Sequence, residues 1–153
     1  MQLATKKYKI FSMIRIFLIF LFLSVGNAFA QVQKTPDDLI SHFFDVFKKE
    51  GSDAAIEYFF STNKYMESSS DKIAEIKDRL KKAIELLQTY YGYEIVSRKT
   101  LGESLLMLDC MVKYDRQPIQ FTFTLYKPNN EWVFQNIKFD YNLEDDLKAL
   151  PGK

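Results

Sequence analysis

The chain has 153 residues, with 21 Lys and Arg against 20 Asp and Glu, and hydrophobic residues make up 47% of it. This length fits one domain of ordinary size with a real core, and the balanced charge argues against nucleic acid or an anionic membrane surface as the partner. With one cysteine and one histidine, an intramolecular disulfide and a zinc site of the usual Cys/His spacing are both excluded.

The chain begins with a segment typical of a secretory signal peptide. Four basic residues come before or at the start of an apolar run from Ile16 to Val25, and Ala28-Phe29-Ala30 then provides small residues at both positions that signal peptidase reads. The apolar run is shorter than the roughly 20 residues that span a bilayer, so a permanent membrane span is the weaker interpretation. We predict a signal peptide over residues 1–30, cleaved after Ala30, and a single α+β domain over residues 31–153.

Export changes the charge expected for the mature protein. Residues 1–30 contain four of the basic residues and none of the acidic ones, so the mature chain carries a net charge of about −3. We expect it in the periplasm or outside the cell. Met13 is followed by a signal start that is complete by itself, so translation from Met13 is an alternative to translation from Met1.

Three helices are predicted before the strands. Thr35-Pro36-Asp37-Asp38 combines an N-cap, a proline at the first helical position and acids at the positive helix end, and this helix stops at Gly51. A short second helix follows Ser52-Asp53. The third begins at Ser70 or Asp71 and runs to near Tyr91, with an apolar stripe that we expect to pack on the sheet. The segment from Ser61 to Ser70 reads as a connection, with a lid over a pocket as the alternative.

His42 is the obvious candidate for acid–base chemistry because it is the only histidine. It lies on the polar side of the first predicted helix with Asp38, Asp45 and Lys49, which favours a solvated surface residue. Cys110 falls on an apolar strand face and is predicted to be a small buried hydrophobic residue, not a nucleophile.

Residues Tyr93 to Tyr141 are predicted to form four consecutive antiparallel strands, followed by a short acidic helix from Leu143 to Leu150. The turns are predicted at Gly102-Glu103, Arg116-Gln117 and Pro128-Asn129-Asn130. They place Ile95 opposite Cys110, Val96 opposite Asp109, Val112 opposite Phe121, Leu125 opposite Val133, and Phe121 opposite Ile137. A slip of one residue in any pair would exchange the two faces of that strand.

Alternation along these strands predicts one apolar face and one mixed face. The apolar face includes Tyr114, Phe121, Phe123 and Val133, with Gln135, Ser97 and Lys99 as its polar members. The mixed face holds polar residues, among them Asp109 and Arg98, together with an apolar group: Leu105, Met107, Met111, Tyr126, Trp132 and Phe134. Such a cluster favours a subunit or partner interface, and a terminal segment folded over it is the alternative.

The predicted helices come first, a long amphipathic helix leads into a four-stranded meander, and a turn is followed by a strand at Asn129-Asn130-Glu131-Trp132-Val133-Phe134. In this order of elements and in this turn, the chain resembles the nuclear transport factor 2-like superfamily. The polyketide cyclase-like and ketosteroid isomerase-like proteins belong to it. The resemblance covers Thr35 to Tyr141 and implies a cone-shaped domain, with three helices packed on a curved four-stranded antiparallel meander. Many members are small exported bacterial proteins with no assigned activity.

Enzymes of this family place Asp, His or Tyr inside the cone, so the resemblance implies a pocket there. The residues that would line it are Phe43, Phe47, Phe59, Tyr90, Tyr114, Phe121, Phe123 and Gln135. A small apolar ligand would bind among these rings, or the rings would simply fill the space. The predicted apolar face carries no carboxylate or histidine, and Asp109 falls on the other face, beside Arg98. This departure counts against an enzyme, since a proton must be held and returned near neutral pH.

Two functions follow from these observations. The first is an exported, non-catalytic binding or interaction domain that self-associates through the mixed sheet face, with a second copy and a small apolar ligand as candidate partners. The second is an isomerase, dehydratase or cyclase that would use Asp109 or His42 in an open cavity. An accessory role on a larger exported assembly, through the acidic C-terminal tail, is a further option. We predict no catalytic residues, no metal site and no cofactor, because glycine-rich phosphate loops and catalytic triads are also missing.

Overall fold

Three helices precede a four-stranded antiparallel sheet in the computed structural model of the chain. The structure describes residues 34–66, 70–141 and Leu143, which belong to one compact unit. The helices are α1 (Pro36–Glu50), α2 (Ser52–Ser61) and α3 (Ser70–Glu85), and the strands are β1 (Tyr90–Leu101), β2 (Leu105–Tyr114), β3 (Ile119–Tyr126) and β4 (Val133–Asp140). Each strand pairs with the next in the order β1-β2-β3-β4. The predicted α+β fold, with helices before an antiparallel sheet, is confirmed.

Two predicted segments fall outside the described part of the chain. These are the signal peptide over residues 1–30 and, apart from Leu143 itself, the acidic helix from Leu143 to Leu150. Within the described part, no helix combines the length and the apolar character needed to cross a membrane.

Helix α1 begins and ends at the residues predicted for it. The Thr35 hydroxyl accepts a hydrogen bond from the Asp38 N–H (3.2 Å), and the Asp38 carboxylate accepts one from the Thr35 N–H (2.8 Å). Two N–H groups that the helix itself leaves without partners are thereby satisfied. At the other end, Gly51 has φ of 96° and donates its N–H to the Phe47 carbonyl, a conformation that glycine adopts without steric cost.

Helix α3 is shorter than predicted. It ends at Glu85, and Tyr90 and Tyr91, which we expected in its last turn, begin β1. Beyond the helix, the Thr89 N–H donates to the Asp115 carboxylate (2.9 Å), and the Asp115 N–H donates to the Thr89 carbonyl (3.2 Å). The backbone after the helix is thus hydrogen-bonded to the turn at Asp115, a distant part of the chain. The helical spacing of apolar residues gives no information about such a contact.

The sheet has two sides of different character. Leu106, Leu108, Cys110 and Val112 of β2 are buried in the core together with the apolar residues of the helices, and we call this the helix-facing side. The opposite side carries the alternate residues of β2, which are Leu105, Met107, Asp109, Met111 and Lys113, and we call it the outer face.

The pairing of β1 with β2 contains a bulge at Val96. Ile95 lies opposite Cys110, as predicted, but Ser97 lies opposite Asp109 in place of Val96. The connection between the strands has three residues, Gly102–Ser104, and not the predicted two. The extra turn residue shifts the register by one, and the bulge cancels that shift, so the pairing beyond the bulge agrees with the prediction.

Between this bulge and the turn, the two faces of β1 are exchanged. Arg98 lies on the helix-facing side and forms an ion pair with Asp37 of α1. The predicted position of Arg98 beside Asp109 is therefore wrong, and so is the predicted position of Ser97 and Lys99 on the apolar face. One additional residue in a strand is enough to reverse the alternation of the residues that follow it.

The pairing of β2 with β3 differs from the prediction by two residues. Val112 lies opposite Ile119, and Phe121, its predicted partner, lies opposite Cys110. The connection is longer than a two-residue turn, since β2 ends at Tyr114 and β3 begins at Ile119. Because side chains alternate with a period of two, this error left every predicted face in β2 and β3 correct.

The pairing of β3 with β4 contains a second bulge. Phe121 lies opposite Phe139, and the register shifts between Thr124 and Leu125, so that Leu125 lies opposite Phe134. The predicted pairs Leu125 with Val133 and Phe121 with Ile137 are both wrong. Phe134 consequently lies on the helix-facing side, and Val133 lies opposite Tyr126 on the outer face.

Phenylalanine rings dominate the core between the helices and the sheet. Phe43 of α1 lies 5.0 Å from Phe123 and 6.2 Å from Phe134, measured between ring centroids, and Phe59 of α2 stacks on Phe134 at 4.9 Å. Each of these four side chains is buried. Burial of a phenylalanine side chain is worth about 1.5–3 kcal/mol, so this cluster holds the helices on the sheet.

Candidate functional site

The predicted pocket residues divide into a packed group and an outlying group. Five of them are buried in the core: Phe43, Phe47, Phe59, Phe121 and Phe123. Phe47 lies 6.2 Å from Phe43 and 6.1 Å from Phe121 between ring centroids. These rings therefore pack against one another.

Tyr90 and Tyr114 lie at the border of this cluster, with their ring centroids 5.7 Å apart. Burial, together with the smaller effects of the nearby Tyr93 and Asp45, raises the pKa of Tyr90 to about 12. Burial also raises the pKa of Tyr114, whose hydroxyl is enclosed and has no hydrogen-bond partner. Phenols with such pKa values stay protonated at neutral pH, so this pair does not supply a base.

Gln135, the last predicted pocket residue, lies at the second bulge and is exposed. Its side-chain oxygen accepts a hydrogen bond from Asn63 (3.3 Å), and the same Asn63 amide donates to the Phe134 carbonyl (2.9 Å). The Thr62 hydroxyl accepts from the Phe134 N–H (3.2 Å). The sequence pattern did not indicate a role for Thr62 or Asn63, because a polar pair after a helix is typical of an ordinary connection.

Four of the six predicted interface residues lie on the outer face. They are Leu105, Met107, Met111 and Tyr126. The other two do not: Phe134 is buried in the core, and Trp132 is partly buried and packs against that core, with the Lys127 ammonium 5.3 Å from its ring. The bulge in β4 accounts for Phe134, because it reverses the alternation on which the prediction rested.

One end of the outer face carries an apolar residue on every strand. Leu101 lies opposite Leu105, Leu105 opposite Tyr126, and Tyr126 opposite Val133. We call these four residues the apolar row. Leu101 is 75% exposed and Tyr126 41% exposed, so the row presents apolar surface to solvent at both an edge strand and a central strand.

In the next row of the outer face, Lys99, Thr124 and Asn136 are polar, whereas Met107 of β2 is apolar. Polar residues lie further along the face. Asp109 is buried and accepts a hydrogen bond from the Thr122 hydroxyl (2.7 Å). Gln120 is also buried, and its side-chain oxygen has no hydrogen-bond partner. The apolar row is therefore bordered by polar residues on β1, β3 and β4, and Met107 continues the apolar surface on β2.

The two acid–base candidates of the enzyme alternative lie on different elements and in different surroundings. His42 is exposed on α1, where its ring meets the edge of Tyr58 at 4.5 Å between centroids. Asp109 lies on the outer face, as predicted, and not among the aromatic rings of the core. The structure does not bring them together in a shared cavity lined by described residues.

Metal and thiol chemistry find little support among the described residues. No group of three or more His, Cys, Asp or Glu side chains in residues 34–66, 70–141 and 143 is placed to hold a metal ion. Cys110 is fully buried, and that burial raises the pKa of its thiol to about 12. A thiol in this state is a core residue, because the reactive form of cysteine is the thiolate.

A pocket of about 500 Å³ opens at the junction of α3 with the connection between β2 and β3. It is lined by Lys82, Ala83, Leu86, Leu87, Arg116, Gln117 and Tyr141. None of these residues was predicted as a site residue, because they come from three separate stretches of the chain and form no sequence motif. The pocket was therefore visible only in the folded chain.

The comparisons with known proteins do not place the chain in a family. No protein-family model matches it, and no curated protein matches it at a significant level. The chain is defined by its architecture alone: an α+β domain with three helices followed by a four-stranded antiparallel sheet.

Proposed function

We propose that this protein is a non-catalytic interaction domain that self-associates through the outer face of its sheet. The observation that carries the proposal is the apolar row, which crosses all four strands and exposes Leu101 and Tyr126 to solvent. Clustered apolar surface bordered by polar residues is typical of protein interfaces, whereas single exposed apolar residues are not.

A second copy of the chain is the partner that we favour, joined face to face. The open sheet has two edges, β1 and β4, and both are poor templates for pairing with another strand. The pairing of β1 with β2 shifts in register near Tyr91 and again near Val96. The pairing of β4 with β3 shifts in register near Leu125 of β3. Bulged edge strands disfavour edge pairing, which leaves the apolar row as the surface for association.

The test is the molar mass of the mature protein in solution, measured by sedimentation equilibrium over a range of concentrations. We expect a reversible dimer. Leu101→Lys and, separately, Tyr126→Lys are expected to raise the dimer dissociation constant at least about tenfold, because each places an unpaired charge in the contact. Ala74→Lys adds the same charge at an exposed position of α3 and is the matched control.

A monomer at all concentrations would contradict self-association. Equal weakening by Ala74→Lys and Leu101→Lys would show that net charge, and not the apolar row, governs the association. Trp132→Ala is unsuitable for this test, since Trp132 packs against the core and its removal would disturb the fold.

We also propose that the protein is exported with cleavage after Ala30, on the strength of the basic start, apolar run and Ala28-Phe29-Ala30 of the sequence. Expression of the whole chain in a secreting bacterium, followed by intact mass measurement, is expected to give a product that starts at Gln31. A product that retains residues 1–30 would contradict the proposal.

The resemblance to the nuclear transport factor 2-like superfamily remains a proposal as well. The order of three helices and a four-stranded antiparallel sheet supports it. A crystal structure in which the sheet curves around α1 into a cone would agree with this membership, and a flat sheet would argue against it.

A further inference from the structure

The pocket at the end of α3 is built from segments that are bonded to one another around it. The Arg116 N–H donates to the Leu87 carbonyl (3.4 Å), and the Arg116 guanidinium donates to the Leu86 carbonyl (3.3 Å). The Tyr141 hydroxyl donates to the Ala83 carbonyl. These hydrogen bonds join α3, its connection to β1, the turn after β2 and the end of β4, so the walls are held in place before any ligand arrives.

Part of the pocket lining is apolar. Leu86 is 67% exposed, whereas Leu87 beside it is buried. Ala83 and the ring of Tyr141 complete this surface. An exposed leucine next to a cavity of about 500 Å³ offers a site for a short apolar group, and that volume lies in the range of small-molecule pockets, roughly 300–1,000 Å³.

The charged residues of the pocket wall, Lys82 and Arg116, are both cationic. Lys82 forms an ion pair with Asp78 (2.6 Å) in which both side chains are largely exposed. Asp115, next to Arg116 in sequence, is engaged by the Thr89 N–H and the Tyr91 hydroxyl. Arg116 forms no ion pair with another described residue. Its hydrogen bond to the Leu86 carbonyl uses one of five guanidinium N–H groups, which leaves donors for an anion.

We propose that this pocket binds a small organic anion that carries a short apolar chain. The Arg116 guanidinium holds the anionic group, with Lys82 as a second cation and the Gln117 amide beside them. The apolar chain lies against Leu86 and Tyr141. A carboxylate and a phosphate ester share this chemistry, since guanidinium groups form paired hydrogen bonds with either. The proposal does not depend on self-association, because the pocket and the apolar row involve different residues.

The test is isothermal titration calorimetry of the mature protein with four probes that share an eight-carbon chain. Octanoate and octyl phosphate carry a negative charge, octyltrimethylammonium a positive charge, and octanol no charge. We expect the two anions to bind and the cation not to bind. The tighter of the two anions identifies the natural ligand as a carboxylate or as a phosphate ester.

Two variants locate the site. Arg116→Gln is expected to weaken anion binding about tenfold or more, because the hydrogen bonds between the guanidinium and the charged group of the ligand are lost. Leu86→Gln is expected to weaken binding of the eight-carbon probes more than binding of acetate. Lys138→Gln removes a positive charge from an exposed position on β4 and is expected to leave binding unchanged, while circular dichroism confirms that every variant is folded.

Three results would overturn the proposal. The first is binding of anion and cation with equal affinity, and the second is equal loss in Lys138→Gln and Arg116→Gln. The third concerns the acidic residues Glu144, Asp145 and Asp146, which follow Tyr141 in the sequence. If anions bind only after Glu144→Gln, Asp145→Asn and Asp146→Asn are combined, the chain's own tail is the occupant and no external ligand is required.

Discussion

Two tyrosines in this sheet show how the surroundings of a residue decide its contribution. The Tyr91 hydroxyl donates to the Asp115 carboxylate (2.6 Å) at an exposed site. The Tyr114 hydroxyl is buried and has no hydrogen-bond partner. A buried polar group without a partner costs about 1–3 kcal/mol, so Tyr114 carries a hydroxyl that destabilises the fold.

We predict that Tyr114→Phe raises the free energy of unfolding by about 1 kcal/mol or more, because it removes that hydroxyl and keeps the ring. Tyr91→Phe removes a hydroxyl that is hydrogen-bonded and is expected to lower the free energy of unfolding. Urea denaturation of the two variants, followed by circular dichroism, measures both changes. A loss of stability in Tyr114→Phe would mean that its hydroxyl has a partner in solution.

The residues that cap α1 were predicted correctly. Helix α1 begins at Pro36, after the N-cap Thr35, and ends before Gly51, as expected. Capping and the left-handed conformation of glycine depend only on a few adjacent residues. Asn63 was missed. Its partners, Phe134 and Gln135, lie 71 and 72 positions further along the chain, and no local pattern reports a hydrogen bond of that kind.

At the scale of elements, the position of β4 depends on its contact with the end of α2. Both backbone groups of Phe134 are bonded there, its N–H to the Thr62 hydroxyl and its carbonyl to the Asn63 amide. These two bonds satisfy backbone groups of β4 beside the bulge. The bulge then turns Phe134, and not Val133, toward the helices.

We predict that Phe134→Ala lowers the free energy of unfolding by about 3–5 kcal/mol, the usual result for a buried phenylalanine. Val133→Ala on the outer face is expected to cost about 1 kcal/mol or less. The midpoints of urea denaturation distinguish the two. If Val133→Ala were the more damaging substitution, the register predicted from the Pro128–Asn130 turn would be right and the bulge would be absent in solution.

The whole molecule should respond to alkaline pH through its tyrosines. Burial raises the pKa of Tyr58, Tyr90, Tyr93 and Tyr114 in the folded protein. The unfolded chain loses these protons near the ordinary value of about 10, while the folded chain keeps them to higher pH. The stability that they contribute is complete below pH 10 and is lost as the pH rises through the folded values.

We predict that the free energy of unfolding falls from about pH 10 to about pH 12, the value to which the pKa of Tyr90 is raised. In the native protein, absorbance of tyrosinate at 295 nm should show some tyrosines that titrate near pH 10 and others that titrate at higher pH. In urea, all of the tyrosines should titrate together near pH 10. Tyr90→Phe is expected to reduce the pH dependence. Native tyrosines that all titrate together near 10 would contradict this account.

The sequence by itself determined the fold class, the limits of α1, the number of strands and most of the core. These features depend on periodicity, capping and turn residues, which act over a few positions. The error of two residues in the predicted pairing of β2 with β3 left the predicted faces of both strands correct, because side chains in a strand alternate with a period of two.

Only the tertiary structure decided the end of α3, the bulges in β1 and β4, the partner of Arg98 and the face on which Phe134 lies. It also assembled the apolar row and the pocket beside Arg116. Each of these depends on hydrogen bonds or contacts between residues that are far apart in the chain, and a single additional residue in a strand reverses its faces. Short-range patterns contain no information about which distant group will compete for a backbone bond.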